Sequence, residues 1–414
     1  LLIADECHEL AAKASDRGIA FHQLVASTKY TLTLTGTFFG GRSTSIFWLL
    51  HRLNASVRKD FAFNDEKRWA RLYGVLEMTR KSKRATEDGD EDGFTGNRRY
   101  QNQAKEQPGI SPAIVNRLLD TTVFLSLKDL GLALPHYAEE VVTLTMTDEQ
   151  GGQYRSMAKK LRDLAIKNRR YLSTWLQWTL ARPNSAFRNE VVEVDEVNQK
   201  GEVIRRKELM ELPAVVDDET MPKESWLVDF CRAERQQGRK VLIYLRQTGT
   251  RDIQDRILKI LRDGGVRAEV LSSGVNPRKR EEWIARRVIG LDALVVNPKL
   301  VATGLDLIAF SSVVFLEIEY SLYVLWQSLR RVWRLGQTKP VKAIFSVYND
   351  TMESRALALI GAKMKAAQLL YGDNVGGAIV PEEEGDILIK LAREALESAD
   401  LPDLQSLFAD DVVV

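Results

Sequence analysis

The sequence predicts an α/β protein organised around parallel β-sheet, and three observations carry that expectation. Strand-like and helix-like segments alternate regularly from about Lys223 to Tyr348. Two further strand-like runs stand near the start, at residues 1–4 and 31–35, and each gives way at once to polar or glycine positions. The helical segments stop at glycines such as Gly238 and Gly264-Gly265. Single strands separated by helix-length segments need crossover connections, so the strands run parallel and the helices cover the sheet.

Taken in order, residues 1–4 are a short apolar run ending in acids, the pattern of a buried parallel strand. Residues 31–35 alternate Thr with Leu and read as a second strand, closed by Gly36. Residues 46–53 look helical. Residues 80–109 hold a basic run, Arg80-Lys81-Ser82-Lys83-Arg84, and an acidic one at 87–93, with few apolar positions, which predicts a mobile insertion. Residues 141–146 are strand-like. Residues 149–180 read as helix, with Tyr154, Met157, Leu161 and Leu164 spaced for one face. The polar stretch 184–222 suits a hairpin or a loose excursion.

The clean alternation then begins. Helix is expected over 226–237, strand over 241–245, and helix over 252–263 with Ile253, Ile257, Ile260 and Leu261 inward. Strand follows at 267–271, helix at 277–287, strands at 293–296 and 313–316, helix at 325–334 and strand at 343–348. No solenoid-length repeat is present.

A chain of 414 residues is long enough for two or three domains with separate cores. Apolar content of 44% and charged content of 28% are ordinary for a globular protein. No window of ~18 apolar residues suggests a membrane span. The opening residues lack the pattern of a signal peptide, and a strand under way at residue 1 suggests that sequence precedes it. Cys7 and Cys231 stand alone, far from any partner at metal or disulfide spacing, which fits a reducing cytoplasmic setting. The net charge of +2 conceals an asymmetry: from Asp373 onward eleven acids face two bases, so the tail carries −9 and the body +11. A basic body suits a polyanionic partner, although a generic solvated surface accounts for it equally well.

The chemistry concentrates in four blocks. Asp5-Glu6-Cys7-His8 follows directly on a strand, and ligands of doubly wound sheets sit at the carboxyl ends of strands. Two adjacent carboxylates there suit a Mg²⁺–nucleotide site, one engaging the metal through water and the other polarising an attacking water. Read alone, the tetrapeptide fits a helix cap or surface acids better. About thirty residues later Thr35-Gly36-Thr37 again follows a strand. Then come Ala302-Thr303-Gly304-Leu305-Asp306-Leu307 and the block from Gln327 to Gln337 that contains Arg331 and Arg334. On a helix, the three-residue spacing would put both guanidiniums on one face, each a planar, permanently charged fork for phosphate oxygens. A basic helix face in surface salt bridges is the plainer alternative.

Together these blocks resemble motifs II, III, V and VI of superfamily 2 helicases. The last is similar to the Q-x-x-x-R-x-x-R-x-G-Q pattern of Swi/Snf-type ATPases. Leu134-Pro135, Thr147, Glu149-Gln150 and Tyr154 resemble the stretch between the two motor lobes of that group, and Lys223-Glu224 with Val241-Leu242-Ile243-Tyr244 resemble the entry to its second lobe. The likeness spans roughly residues 1–350 and is nearer to phage and mobile-element enzymes than to chromatin remodellers. Arg330 stands where the group has glycine, Trp333 where it often has histidine, and Phe38 where many have proline.

The resemblance implies two RecA-like lobes, the first truncated, with a mainly helical insertion. The expected division is 1–140 for the first lobe, 141–222 for the insertion, 223–372 for the second lobe and 373–414 for an acidic tail. It implies ATP with Mg²⁺, hydrolysis coupled to movement on DNA, and grip on double-stranded DNA without regard to sequence. Asp5 would engage Mg²⁺ through water and Glu6 would activate water. His8 would couple the nucleotide to the other motifs, and Thr35, Gly36, Thr37 and Thr303 would relay its state toward DNA. Gly304, Asp306 and Gln337 would border the nucleotide, Gln327 would position the hydrolytic site, and Arg331 and Arg334 would reach the γ-phosphate. A methyltransferase or nuclease partner would mark the motor subunit of a restriction or phage-defence complex. A silent DNA-binding scaffold is the other alternative. The sequence contains no G-x-x-x-x-G-K-[ST] loop, so residues 1–414 alone are expected to turn over little ATP.

Overall fold

The computed structural model describes residues 1–36, 43–82, 100–125, 134–168, 171–197, 203–215, 220–301 and 305–371. It divides into two compact units, one within Leu1–Ser126 and one within Leu127–Ala366.

The first unit opens with β1 (Leu2–Ala4), a 3-10 turn at Cys7–Leu10, helix α1 (Asp16–Ser27) and β2 (Thr31–Thr33). The strands pair in parallel, Leu2 opposite Thr31 and Ala4 opposite Thr33. Ser15 caps α1 by accepting the Gly18 N–H at 3.1 Å. The inward face of β1, Leu2 and Ala4, packs with Cys7, Phe21 and Leu49. Its outward face does not bury: Ile3 is 58% exposed, and Leu32 and Leu34 are also exposed. The expectation of a buried strand therefore holds for one face only. A parallel strand reads as continuously apolar because both faces are normally covered, and among the described residues only one is.

Helices α2 (Ser43–Leu53), α3 (Ala55–Asp60) and α4 (Glu66–Tyr73) follow, then β3 (Gly74–Ser82), β4 (Tyr100–Ile110) and α5 (Val115–Leu118). Phe47, Phe61, Trp69 and Tyr73 form an aromatic core with Ile46, Leu50 and Val57. The Trp69 indole donates to the Ser43 carbonyl at 2.9 Å. Arg52, almost fully buried, donates to the carbonyls of Leu10 and Ala12 at 2.6 and 2.8 Å and so clamps the turn after β1. The stretch 80–109 is not loose throughout. Residues 80–82 and 100–109 belong to the antiparallel β3–β4 pair; the charge-dense part between them lies outside the described residues. Charged side chains depress apolar counts without preventing ladder hydrogen bonds, which is why composition alone misjudged these strands.

In the second unit come β5 (Tyr137–Leu144), α6 (Asp148–Lys167), α7 (Leu172–Ser185), β6 (Glu190–Val197) and β7 (Val203–Leu212). After these follow α8 (Pro222–Gln236), β8 (Val241–Tyr244), α9 (Gln254–Asp263), β9 (Ala268–Leu271), α10 (Arg280–Arg287), β10 (Ala293–Val296) and α11 (Pro298–Val301). Last are β11 (Ser312–Phe315), α12 (Leu322–Arg330), β12 (Val341–Tyr348) and α13 (Met352–Tyr371). Six strands form one sheet in the order β5-β12-β11-β8-β10-β9, every pair parallel. The strands β8, β10 and β11 are buried along their whole length, as sheets covered on both sides require. One face packs Val241, Ile243, Val295 and Val314 against Leu227, Ile257 and Leu261 of α8 and α9. Ile253, Ile257, Ile260 and Leu261 point inward as the spacing predicts. On the sheet, Tyr244 and Phe345 flank Phe315 with ring centroids 5.0 Å apart in each pair.

Two expected boundaries move. Strand β5 straddles the expected break at residue 140 and pairs with β12 over eight residues, so it is an edge strand of the second unit's sheet. The stretch 141–222 is two helices and an antiparallel pair, and it is built into that unit rather than standing apart from it. The Tyr154 hydroxyl accepts the Met352 N–H at 2.9 Å, and Asn184 donates to Glu353 at 2.5 Å. Arg182, 1% exposed, joins Gln153, Glu190 and the Pro213 carbonyl, tying α6 to both hairpin strands. The expected long helix breaks near Asn168. Trp175 and Trp178 are both buried, so neither is exposed for base stacking.

Candidate functional site

Each unit places part of the expected site at the carboxyl ends of its strands. In the first, β1 ends at Ala4 and its chain turns sharply. Glu6 takes φ 49°, ψ 43°, a left-handed conformation uncommon for a side-chain-bearing residue. The Asp5 carboxylate accepts the Glu6 N–H at 2.8 Å, stabilising the turn. The Leu34 N–H then donates to Ala4 at 2.8 Å and the Cys7 N–H to Leu34 at 3.0 Å, so the two strand ends are stitched beyond the ladder.

This stitching brings two of the four blocks together. His8 Nδ1 lies 2.9 Å from Thr35 Oγ1 and 3.4 Å from Glu6 Oε2. A carboxylate can only accept, so the tautomer with its proton on Nδ1 suits both oxygens. Glu6 Oε2 is itself buried, with the His8 ring as its ion-pair neighbour. Asp5 is exposed at the strand end. Cys7 is buried between them, and burial pushes its thiol pKa up, which makes it inert packing. Gly36 ends the described part of this block; Thr37 and Phe38 lie outside the described residues.

In the second unit the chain leaves β8 for β9 on one side and β11 for β12 on the other, so the topological switch lies between β8 and β11. Their carboxyl ends carry a dense polar cluster. Glu317 accepts the N–H groups of Arg246 and Gln247, both at 2.8 Å. Asn297, after β10, donates to the Arg246 carbonyl at 2.9 Å. The Arg246 guanidinium lies over the Tyr320 ring at 4.6 Å, and Glu319 accepts the Ser321 N–H at 2.9 Å. Burial raises Glu317 to about 7 despite its two backbone donors. Sequence reasoning missed this cluster, yet Glu317 and Glu319 are acids just after an apolar strand, the same signal that singled out Asp5 and Glu6.

Helix α12 carries Gln327, whose side-chain oxygen receives Arg331 Nη2 at 3.2 Å. The helix stops at Arg330, and Arg331 is its C-cap. Arg331 and Arg334 are therefore presented by a turn, which corrects the expectation of one helix face. The reason is tertiary. Distant groups meet the chain here: the Tyr244 hydroxyl donates to the Ser328 carbonyl at 3.1 Å, which also accepts the Arg331 N–H, and the Leu307 N–H donates to the Arg331 carbonyl at 3.0 Å. Trp333 is drawn to β5, donating to the Pro135 carbonyl at 2.8 Å and stacking on Tyr137 at 4.7 Å. Both arginines are half-buried.

Gln337, expected to border the nucleotide, is engaged by the backbone around it. Its amide nitrogen donates to the carbonyls of Ile308, Phe310 and Val332, and its oxygen accepts from Thr338 and Lys339. With these contacts the carboxamide holds the turn together. Asp306 is exposed and accepts the Ile308 N–H at 3.2 Å; Thr303 and Gly304 lie outside the described residues. The basic residues of α10 are locally engaged, Arg286 with Glu282 and Arg287 with Glu269.

Comparison with known proteins follows the same division. Residues 222–336 match the helicase conserved C-terminal domain. The chain is 26% identical over 152 residues to the ATP-dependent helicase rhp16 of Schizosaccharomyces pombe, covering 36% of this chain and 16% of that protein. It is 26% identical over 114 residues to the uncharacterized ATP-dependent helicase C23E6.02 of the same organism, covering 27% of this chain and 11% of the relative. The matches thus span less than a fifth of the length of either relative. Among solved structures, the C-terminal part of the Fun30 ATPase domain aligns with a TM-score of 0.41 and 13% identity, over 64% of this chain and 99% of that one. The helicase C-terminal domain match falls within the second unit and spans strands β8 to β11 of its all-parallel sheet, the α/β architecture of a RecA-like helicase C-terminal lobe.

Proposed function

We propose that the protein containing this chain is an ATP-driven DNA translocase of the Swi/Snf type. The observation that carries this reading is the His8–Thr35 hydrogen bond, on a chain whose residues 222–336 match the helicase C-terminal domain. It joins the acid pair to the block that would report nucleotide state to DNA.

The donor set fits a nucleotide-bound magnesium ion. Among the described residues no group of three or more His, Cys, Asp or Glu could hold a metal unaided. Exposed Asp5 would hold Mg²⁺ through water, with the remaining ligands from phosphate oxygens, the arrangement that ion favours. When bound, Mg²⁺–ATP supplies the phosphoryl group and much of the charge neutralisation. Glu6 would orient water and take its proton. His8 would hold Glu6 and Thr35 in one register. Gln327 would steady Arg331, and Arg331 and Arg334 would lend positive charge to the γ-phosphate oxygens.

Grip on the phosphate backbone makes binding insensitive to sequence and sensitive to salt. The test is phosphate release by the full-length protein with and without duplex DNA. Stimulation by duplex of any sequence is expected; equal rates with and without nucleic acid would refute the reading. Residues 1–414 alone, which contain no Gly-Lys phosphate loop, are expected to release little phosphate.

A further inference from the structure

We infer that the start of β5 is the seat of the arginine turn, where Pro135 and Tyr137 hold Trp333 and thereby position Arg331 and Arg334 for hydrolysis. The inference rests on the motor reading above, which gives those arginines their role.

Trp333 stands directly before Arg334 and two residues after Arg331. Its indole Nε1 donates to the Pro135 carbonyl at 2.8 Å, and its ring stacks on Tyr137 at 4.7 Å with 25° between the planes. Both halves of the seat are rigid. The proline ring fixes φ at position 135, which limits how far that stretch of backbone can swing. The Tyr137 hydroxyl donates to Glu139 Oε1 at 2.8 Å, and both residues are buried, so the ring that receives the indole is locked at its far end. The Leu134-Pro135 pair that stands out in the sequence thus has a definite task.

The chain beyond the arginines returns to the same place. The Val341 N–H donates to the His136 carbonyl at 2.8 Å, and Val341 stands opposite Tyr137 in the β5–β12 ladder. Residues 135–137 therefore anchor both ends of the segment 333–341. Nearby, the backbone of the turn is pinned by the Leu307 N–H on the Arg331 carbonyl at 3.0 Å and by the Gln337 amide on the Val332 carbonyl at 3.2 Å. Those bonds hold single carbonyls, whereas the stacked indole sets the rotation of the turn about them. A smaller side chain at 333, or no ring at 137, frees that rotation and carries both guanidiniums off line. Displacing a positioned group by about 1 Å can cost about a hundredfold in rate. Tyr137 is 1% exposed and spends its ring on Trp333 and its hydroxyl on Glu139, so its effect on hydrolysis runs through the tryptophan.

The experiment measures steady-state ATP hydrolysis by the full-length protein with saturating duplex DNA, for wild type, Tyr137→Leu, Tyr137→Phe and Trp333→Phe. Tyr137→Leu removes the stacking face and is expected to lower kcat about tenfold with the KM for ATP changed less than about twofold, because the arginines act on charge that develops in the transition state. Trp333→Phe keeps the stack and loses the bond to Pro135, so kcat should fall about threefold. Tyr137→Phe keeps the ring and should retain at least about half of the wild-type kcat. With Arg331→Ala and Arg334→Ala both in place, adding Tyr137→Leu should alter the residual rate by less than about twofold, since nothing is left to position. Wild-type kcat in Tyr137→Leu would overturn the inference. So would a loss of the same size that persists without the arginines, which marks a general disturbance of the fold. A wild-type rate with both arginines replaced would instead overturn the motor reading on which this rests.

Discussion

Replacing Lys223 by Met should unseat the junction of α8, β12 and α13. Lys223 is 2% exposed, and its ammonium donates to Glu353 at 3.0 Å, to Asn184 at 3.0 Å and to the Leu316 carbonyl at 3.1 Å. Its three protons meet four acceptor atoms, so the charge is fully engaged. Met fills nearly the same volume but leaves the Glu353 carboxylate, 1% exposed, with only Asn184 and the distant Tyr348 N–H as donors. Breaking a buried pair by removing one partner costs about 3–5 kcal/mol, because a bare charge stays behind. For a unit of this size that lowers the melting temperature by roughly 6–20 °C. Lys223→Met with Glu353→Gln removes the stranded charge and should recover more than half of the loss. The assay is thermal or urea unfolding of the second unit followed by circular dichroism. A single mutant within about 1 kcal/mol of wild type, or a double mutant no better than the single, would refute the reasoning.

Further expectations follow from other groups. Burial raises Glu139 and Glu317 to about 7 each. Their folded-state affinity for protons exceeds that of the unfolded chain, so the stability they allow is complete below about pH 4.5 and declines as pH rises through about 7, by at most roughly 3 kcal/mol each. Glu317→Gln should flatten that part of the stability–pH curve; an unchanged slope would count against the burial argument. Gln337→Leu leaves several backbone groups without their partner and should cost about 2–4 kcal/mol by urea unfolding, whereas a ligand-binding glutamine would be nearly neutral to stability. Trp333→Ala should cost about 3–5 kcal/mol through the lost stack on Tyr137 and the lost bond to Pro135, and a substitution without effect would argue that this turn is held elsewhere.

What the sequence revealed and what it withheld have physical causes. The helix α9 was legible because Ile253, Ile257, Ile260 and Leu261 repeat at helical spacing before paired glycines. Strands β8, β10 and β11 were legible as unbroken apolar runs between polar turns. Periodicity reports which residues turn inward, but not which sheet a strand joins. Nothing in residues 137–144 says that they pair with β12, across some two hundred residues. The arginine turn was hidden for a related reason. Local spacing favours helix through residue 334, but distant partners, the Tyr244 hydroxyl, the Leu307 N–H and the Pro135 carbonyl, meet the segment where the helix ends at Arg330. His8 and Thr35 stood out by motif, and their strands brought them together. The Lys223–Glu353 pair carries no local signature, since its partners are far apart in sequence.

The central claim is that Glu6 and Arg331 both serve ATP hydrolysis, and a double-mutant cycle on hydrolysis tests it most directly. The rates to measure are those of full-length wild type, Glu6→Gln, Arg331→Ala and the double mutant, each with saturating duplex DNA. If the groups act as one unit, each single change should lower kcat by about three orders of magnitude or more, and the double should fall little further. An Arg331→Ala rate within twofold of wild type, or losses that simply multiply, would contradict the account.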